Sequence, residues 1–235
     1  MGHRWSPSRA LWWATLRAAR TRRRLQGGSA ENAEQMIAAH APGGSFADIG
    51  CMWNIHGRRA FYAADCGATD VVGMDVMGPT PQFQAEQASR ERPIRFVQGD
   101  VHDPATVAKA GVVDTVFSAG LLYHAPHPVL TLQRLREMCG KTLLLWTATI
   151  PELPGTPNGC VFFPALPPDE RQMYSSMWPG TQVGLSEAFD RDQGYANWWW
   201  GLTPSAVVSM LDAAGFRIQQ HVDQPYTSAF VAHPR

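Results

Sequence analysis

The chain has 235 residues, 45% of them hydrophobic and 17% charged, with Lys and Arg balancing Asp and Glu at 20 each. That length holds one well-buried α/β domain with a modest insertion, and two full domains would be cramped. The longest apolar runs, near 112–123 and 142–148, are strand-sized and fall short of the roughly 20 residues that cross a bilayer, so no membrane span is expected and the protein reads as soluble and cytoplasmic.

The balanced charge conceals an asymmetry. Residues 1–30 hold seven arginines and no Asp or Glu, which leaves 13 basic against 20 acidic residues from position 31 onward. An acidic body is a poor general nucleic-acid binder, because duplex affinity comes mainly from phosphate neutralisation. Ser6-Pro7 fits an N-cap and first helical residue, and Leu11, Trp12, Trp13 and Leu16 oppose Arg17, Arg20 and Arg24. Segment 1–30 is therefore expected as a helical extension laid over the site mouth or a neighbouring subunit. Contact with RNA or an anionic membrane, or service as a transit peptide, are the alternatives. From position 31 onward the rest of the chain reads as one domain.

The pattern then alternates. It predicts strands over 45–49, 71–74, 94–97, 112–118 and 142–147, with helices over 58–66, 82–90, 104–110 and 128–139 between them. Such alternation means a parallel sheet with helices on both faces, a Rossmann-like arrangement. Residues 150–200 break it with seven prolines and scattered aromatics; a connection of this length in a compact domain is usually a lid or binding segment, so a substrate cap is expected. Thr203-Pro204 opens a helix to about 214, closed by Gly215, and 216–222 and 229–232 add two strands as a hairpin. Seven strands result, the last antiparallel.

Cys51, Cys66, Cys139 and Cys160 form no Cys-x-x-Cys pair, which points to reduced thiols and to neither zinc nor disulfides. His124 and His127, with His102 and Asp103, lack the regular helix that would hold a metal. No metal is expected.

Three acids recur at intervals of about 25 residues, each at the end of an apolar run: Asp48, Asp75 and Asp100. Ligands of open α/β sheets bind outside the carboxyl ends of the strands, so acids gathered there imply a bound molecule rich in hydroxyl or amino donors, such as a nucleoside. The first turn, Asp48-Ile49-Gly50-Cys51-Met52-Trp53-Asn54, carries Met and Asn where a dinucleotide fingerprint needs glycines. A ligand without phosphates tolerates that change, and Asn54 can take a left-handed turn conformation.

On these motifs residues 31–235 resemble the class I S-adenosylmethionine-dependent methyltransferases. The resemblance implies a donor site in which Asp48, Gly50 and Cys51 form the first motif. Asp75 would take both ribose hydroxyls, and Asp100 the adenine amino group, with Val101 beside the ring. Asn54, Val76, Ser118, Ala119 and Tyr123 complete the expected donor set. Ser118 to His124, followed by Pro128 and its helix, is similar to the segment after strand four of the tRNA wobble-uridine carboxymethyltransferases, where the tyrosine helps hold a carboxylated donor; the segments 202–206 and 214–216 are similar as well.

Methyl transfer is an in-line displacement, so the protein mainly positions the reactants and excludes water. A base is needed only where the acceptor must lose a proton. His124, just beyond the fourth strand and expected near its ordinary pKa, is the first candidate, and His56 the second; the competing account of His124 is a turn histidine bonded to backbone. Three successive tryptophans cannot all be buried on one face. Tyr195, Trp198, Trp199 and Trp200, extended by Phe162, Phe163, Tyr174 and Trp178, are thus candidates for an aromatic acceptor wall, with core packing as the other explanation.

The expected activity is methylation of an O or N atom of a small molecule in specialised metabolism. The alternatives are tRNA modification with the arginine-rich segment as an RNA clamp, or an inactive scaffold, which retention of all three acids argues against.

Overall fold

The computed structural model describes residues 33–175, 185, 188–224 and 226–235. The arginine-rich segment 1–30 and Trp178 lie outside the described residues. Helix α1 (Ala33–His40) precedes β1 (Ser45–Ile49), α2 (Arg58–Asp65), β2 (Asp70–Asp75), α3 (Pro81–Ala88), β3 (Arg95–Gln98), α4 (Pro104–Ala110), β4 (Val113–Ala119), α5 (Pro128–Met138) and β5 (Cys139–Ala148). After them come β6 (Cys160–Phe162), α6 (Pro168–Ser175), β7 (Trp200–Leu202), α7 (Pro204–Ala213), β8 (Phe216–Gln224) and β9 (Thr227–Pro234).

The main sheet has seven strands in the order β3-β2-β1-β4-β5-β9-β8, and β9 runs antiparallel to both neighbours. The expected fold is therefore the observed one. Alternation along each strand explains how one sheet carries two cores. In β5, Leu143 and Leu145 join Leu132, Leu135, Val207 and Leu211 of α5 and α7, whereas Leu144 between them joins Phe46, Phe61, Phe83 and Phe117 on the face covered by α1, α2 and α3. Helix starts follow local chemistry: Thr80, Asp103 and Thr203 each accept a backbone N–H through the side chain, with proline in the first turn behind them.

Two details depart from the sequence expectation. The helix expected over 128–139 and the strand expected over 142–147 are not separated: α5 ends at Met138 and β5 runs straight on from Cys139. A Cβ at Gly140 would sit 3.0 Å from the Val113 carbonyl oxygen, so the glycine serves close strand approach. The predicted cap contains structure of its own, a two-stranded antiparallel sheet of β6 and β7 and helix α6. Its buried side chains Ile150, Phe163, Tyr174 and Trp198 form a third cluster with Tyr226. No helix among the described residues is long and apolar enough to cross a membrane.

The order of strands reverses between β1 and β4, which opens a crevice at their carboxyl ends. The loop from Gly50 to Gly57 forms one wall, and its shape demands left-handed backbone at Gly50, Asn54, His56 and Gly57. Gly57 is the most constrained: φ is 75° and an added Cβ would lie 2.4 Å from the Phe83 ring. Gly57→Ala should cost about 2–4 kcal/mol by adding strain to overlap. Urea unfolding checks this, and a loss below about 1 kcal/mol would contradict the packing described.

Candidate active site

The cavity at the crevice has a volume of about 720 Å³, a size that suits a nucleoside-bearing ligand with room beside it. Its organising group is the carboxylate of Asp75 at the end of β2. Oδ2 accepts the Met52 N–H at 2.7 Å and Oδ1 accepts the Met77 N–H at 2.9 Å. One side chain thus ties the loop after β1 to the loop after β2. Burial raises its pKa, and the amides of Met77, Met52 and Val76 oppose that shift.

Gly50, Asn54, Asp75, Val76, Val101 and Ala119 line the cavity, as does Tyr123. The other expected donor residues do not. Cys51 is buried under the loop, its sulfur 3.0 Å from the Cβ position of Gly73, and burial drives its thiol pKa up. Ser118 is buried and donates to the Ile49 carbonyl at 3.4 Å. Asp48 is 1% exposed. Burial raises its pKa to about 7, against the field of Arg59 and with the field of Asp75, and its Oδ2 has no hydrogen-bond partner. Met52, where a glycine is usual, is wholly buried and contributes only its N–H to the site.

Asp100 lies at the rim, engaged by the segment that crosses the cavity. Its Oδ1 accepts the His102 N–H at 2.8 Å and the Tyr195 hydroxyl at 2.6 Å, while the same hydroxyl lies 3.1 Å from His102 Nδ1. His102 Nε2 meets Thr131 Oγ1 at 2.7 Å. Burial, reinforced by the Asp100 bond, pushes the Tyr195 phenol pKa up, so it remains a donor.

The opposite wall is aromatic. Tyr123 packs between His124 and Trp198, with ring centroids 4.3 and 4.2 Å away, and Tyr195, Trp198 and Trp146 line the space with them. Trp199 and Trp200 do not line it: Trp199 Nε1 donates to the Gly194 carbonyl and Trp200 Nε1 to the Pro126 carbonyl, pinning the segment from outside. Phe163 and Tyr174 meet edge to face in the cluster behind; Phe162 is exposed on the far side, against Trp200. Core packing accounts for Phe163 and Tyr174, and carbonyl partners outside the cavity for Trp199 and Trp200.

Of the candidate bases, His124 lines the cavity and His56 does not; His56 Nδ1 pairs with Thr80 Oγ1 at 3.1 Å. His124 Nδ1 lies 2.8 Å from the Asn197 carbonyl, so it carries the proton and leaves Nε2 as acceptor. The expectation of an ordinary pKa is overturned: burial lowers it to about 4, against the Asn197 bond. Sequence reasoning missed Arg59, Trp53, Leu121, Trp146 and Gln193, all on the cavity wall. Trp146 and Ala148 at the end of β5 follow from the same rule that located the acids. Arg59 shares a helix face with buried Ala63 four residues on, which was the available signal. Among the described residues no three His, Cys, Asp or Glu side chains gather to hold a metal.

This crevice lies at a topological switch point and is edged by Asp75 and the Gly50 loop. Residues 47–141 match the methyltransferase domain family. Over 117 residues the chain is 36% identical to a tRNA U34 carboxymethyltransferase of Shewanella halifaxensis, and over 116 residues 33% identical to that of Shewanella pealeana; each match takes in 44% of this chain and 31% of the relative. The aligned part is thus under a third of those proteins. Among solved structures, magnesium protoporphyrin IX methyltransferase from Synechocystis PCC 6803 with bound SAH is similar at TM-score 0.54 and 18% identity, covering 87% of this chain and 83% of that one. The 1,6-didemethyltoxoflavin-N1-methyltransferase of Burkholderia thailandensis, with its substrate and S-adenosylhomocysteine, is similar at 0.55 and 16%, covering 96% and 89%. The fold is that of the S-adenosylmethionine-dependent methyltransferases.

The two shifted groups act oppositely on stability. His124 sits near 4 against 6.5 in the unfolded chain, so the unfolded state binds more protons between these values and this contribution rises with pH. Asp48 sits near 7 against 3.8, so the folded state holds the extra proton and its contribution falls with pH. His124 is worth about 3 kcal/mol and Asp48 about 4 kcal/mol over their ranges, and the slopes largely cancel from pH 4 to 6.5. In urea unfolding, Asp48→Asn should expose a rise of about 3 kcal/mol across that window, and His124→Gln a fall of similar size. Flat profiles in both variants would contradict the assignment.

Proposed function

We propose that this chain transfers a methyl group from S-adenosylmethionine to an O or N atom of a small-molecule acceptor, in specialised metabolism, with segment 150–200 serving as the acceptor cap of the methyltransferase domain. The observation that carries the reading is a single cavity joining two chemistries: Asp75, Gly50 and Val101 on the side of β1 to β3, and Tyr123, His124, Trp146 and Trp198 on the side of β4 and β5. The free cysteines accord with a reducing compartment, the cytoplasm.

The residues present fit the donor. Asp75 offers two carboxylate oxygens to a pair of ribose hydroxyls. Val101 and Met77 give apolar surface for the adenine, and Oδ2 of Asp100, which accepts no hydrogen bond among the described residues, suits its amino group. Buried Asp48 leaves an unsatisfied acceptor behind the loop. S-adenosylmethionine, when bound, supplies a methyl group on a sulfonium sulfur open to in-line displacement. The chain's own work is to hold an acceptor against the aromatic wall, exclude water with Tyr195 and Trp198, and receive a proton at His124 Nε2. With a pKa of about 4 this imidazole is a weak base that stays neutral through the physiological range, suited to orienting a hydroxyl or amine.

The second reading, transfer to tRNA, draws on the identity to the Shewanella carboxymethyltransferases. Deletion of residues 1–30 separates the two: loss of turnover on RNA alone, with donor affinity kept, favours tRNA. For the donor itself, calorimetry with S-adenosylhomocysteine should show binding. Asp75→Ala should weaken it by about 1.5–3 kcal/mol through lost charge-assisted bonds, and unchanged affinity would refute the role given to Asp75.

A further inference from the structure

The segment that crosses the cavity is held unequally at its two sides. Residues 190–197 are first tied to themselves: buried Asn197 accepts the Asp190 N–H at 3.1 Å and donates through Nδ2 to the Asp190 carbonyl at 2.6 Å and the Gly194 carbonyl at 3.2 Å. The Asp190 carboxylate accepts the Asp192 N–H at 3.0 Å and the Gln193 side-chain amide at 3.3 Å. These internal bonds let the segment keep its shape when its outer contacts change. Toward β4 those contacts are several. The Asn197 carbonyl accepts from His124 Nδ1 at 2.8 Å, the Trp199 N–H donates to the Tyr123 carbonyl at 3.0 Å, Trp200 Nε1 donates to the Pro126 carbonyl at 3.2 Å, and Trp198 is buried in the third apolar cluster.

Toward β3 one side chain does the holding. Among the described residues, Tyr195 alone bonds this segment to that edge, its hydroxyl donating to Asp100 Oδ1 at 2.6 Å with His102 Nδ1 at 3.1 Å. The Asp100 side chain is 46% exposed, so water competes for the oxygen that the phenol takes. Gly194, immediately before the tyrosine, has φ 49° and ψ −117°, a backbone region that glycine alone enters readily. A Cβ there would meet nothing within 4 Å among the described residues, so the bend can turn without disturbing a packed neighbour. Gln193, Tyr195, Ala196 and Trp198 line the cavity together with Gly50 and Asp75. A ligand seated there therefore lies beneath a segment anchored at one side and caught at the other.

We propose that residues 190–197 form a strap hinged on residues 123–126 and fastened by Tyr195 to Asp100, and that release of this catch admits and discharges the ligand of the cavity. The choice of an adenosyl probe rests on the donor reading above; the strap itself does not. A catch leaves a kinetic signature that a binding contact lacks. Loss of a contact to the ligand acts mostly on the off-rate, whereas loss of a catch raises both rates, since entry and exit wait on the same opening.

Stopped-flow tryptophan fluorescence with S-adenosylhomocysteine, on wild type and Tyr195→Phe, measures both rates. Tyr195→Phe should raise the on-rate and the off-rate together by about 10-fold, the worth of one hydrogen bond to a charged group, with the Kd changed less than about 3-fold. A higher off-rate alone, or rates equal to wild type, in a variant whose unfolding midpoint is unchanged, would overturn the proposal. Fluorine NMR of ligand-free protein labelled with 5-fluorotryptophan reads the strap by itself, because Trp199 Nε1 donates to the Gly194 carbonyl. The Trp199 resonance, assigned by its loss in Trp199→Phe, should move or broaden in Tyr195→Phe while that of Trp146 on β5, assigned in the same way, stays in place; an unmoved Trp199 resonance would contradict the strap. A wild type that does not bind S-adenosylhomocysteine would instead refute the donor reading, and the fluorine spectra then decide the strap alone.

Discussion

The structure of the site depends on where one carboxylate spends its lone pairs. Asp75 accepts the Met52 amide from the loop after β1 and the Met77 amide from the loop after β2. These bonds hold the Gly50 loop in its left-handed course and leave room for a ligand between it and β4. An unpaired buried amide would cost about 1–3 kcal/mol, so removing this acceptor affects loop geometry as well as ligand contacts. The arrangement also explains how the loop dispenses with two glycines. Met52 needs only its amide in the site, which lets its side chain enter the core, and Asn54 tolerates φ 56° as asparagine does.

The aromatic wall is fixed by a second set of backbone bonds. Asn197 gives its carbonyl to His124 Nδ1, and its side chain bonds the Asp190 and Gly194 carbonyls. Two residues earlier, Tyr195 fastens the same segment to Asp100. The acid at the end of β3 and the imidazole beyond β4 are therefore linked through three residues of one crossing segment, 195–197. The Asp75 side and the aromatic side of the cavity thus share a mechanical frame.

The fold was legible because each β-α unit announces itself by alternation and capping: Thr80-Pro81, Asp103-Pro104 and Thr203-Pro204 mark helix starts, and the acids mark strand ends. That Asp75, Val101 and Ala119 meet at one cavity was legible for the same reason, since strand ends project to one edge. What escaped was set by tertiary contact. Cys51 and Ser118 sit in site-like sequence positions but point into the two cores, and only the sheet register decides that. The pKa of His124 depends on Trp198 and Asn197, over 70 residues away. Among three adjacent tryptophans, Trp198 faces the cavity because Trp199 and Trp200 find carbonyl partners outside it, a choice no local pattern encodes.

A crystal structure with S-adenosylhomocysteine tests the central claim most directly. The account predicts both ribose hydroxyls within hydrogen-bond distance of the Asp75 carboxylate, the adenine beside Val101, and the sulfur facing the wall formed by Tyr123 and Trp198. A nucleoside seated elsewhere, or an Asp75 whose oxygens meet only the Met52 and Met77 amides in the complex, would contradict it.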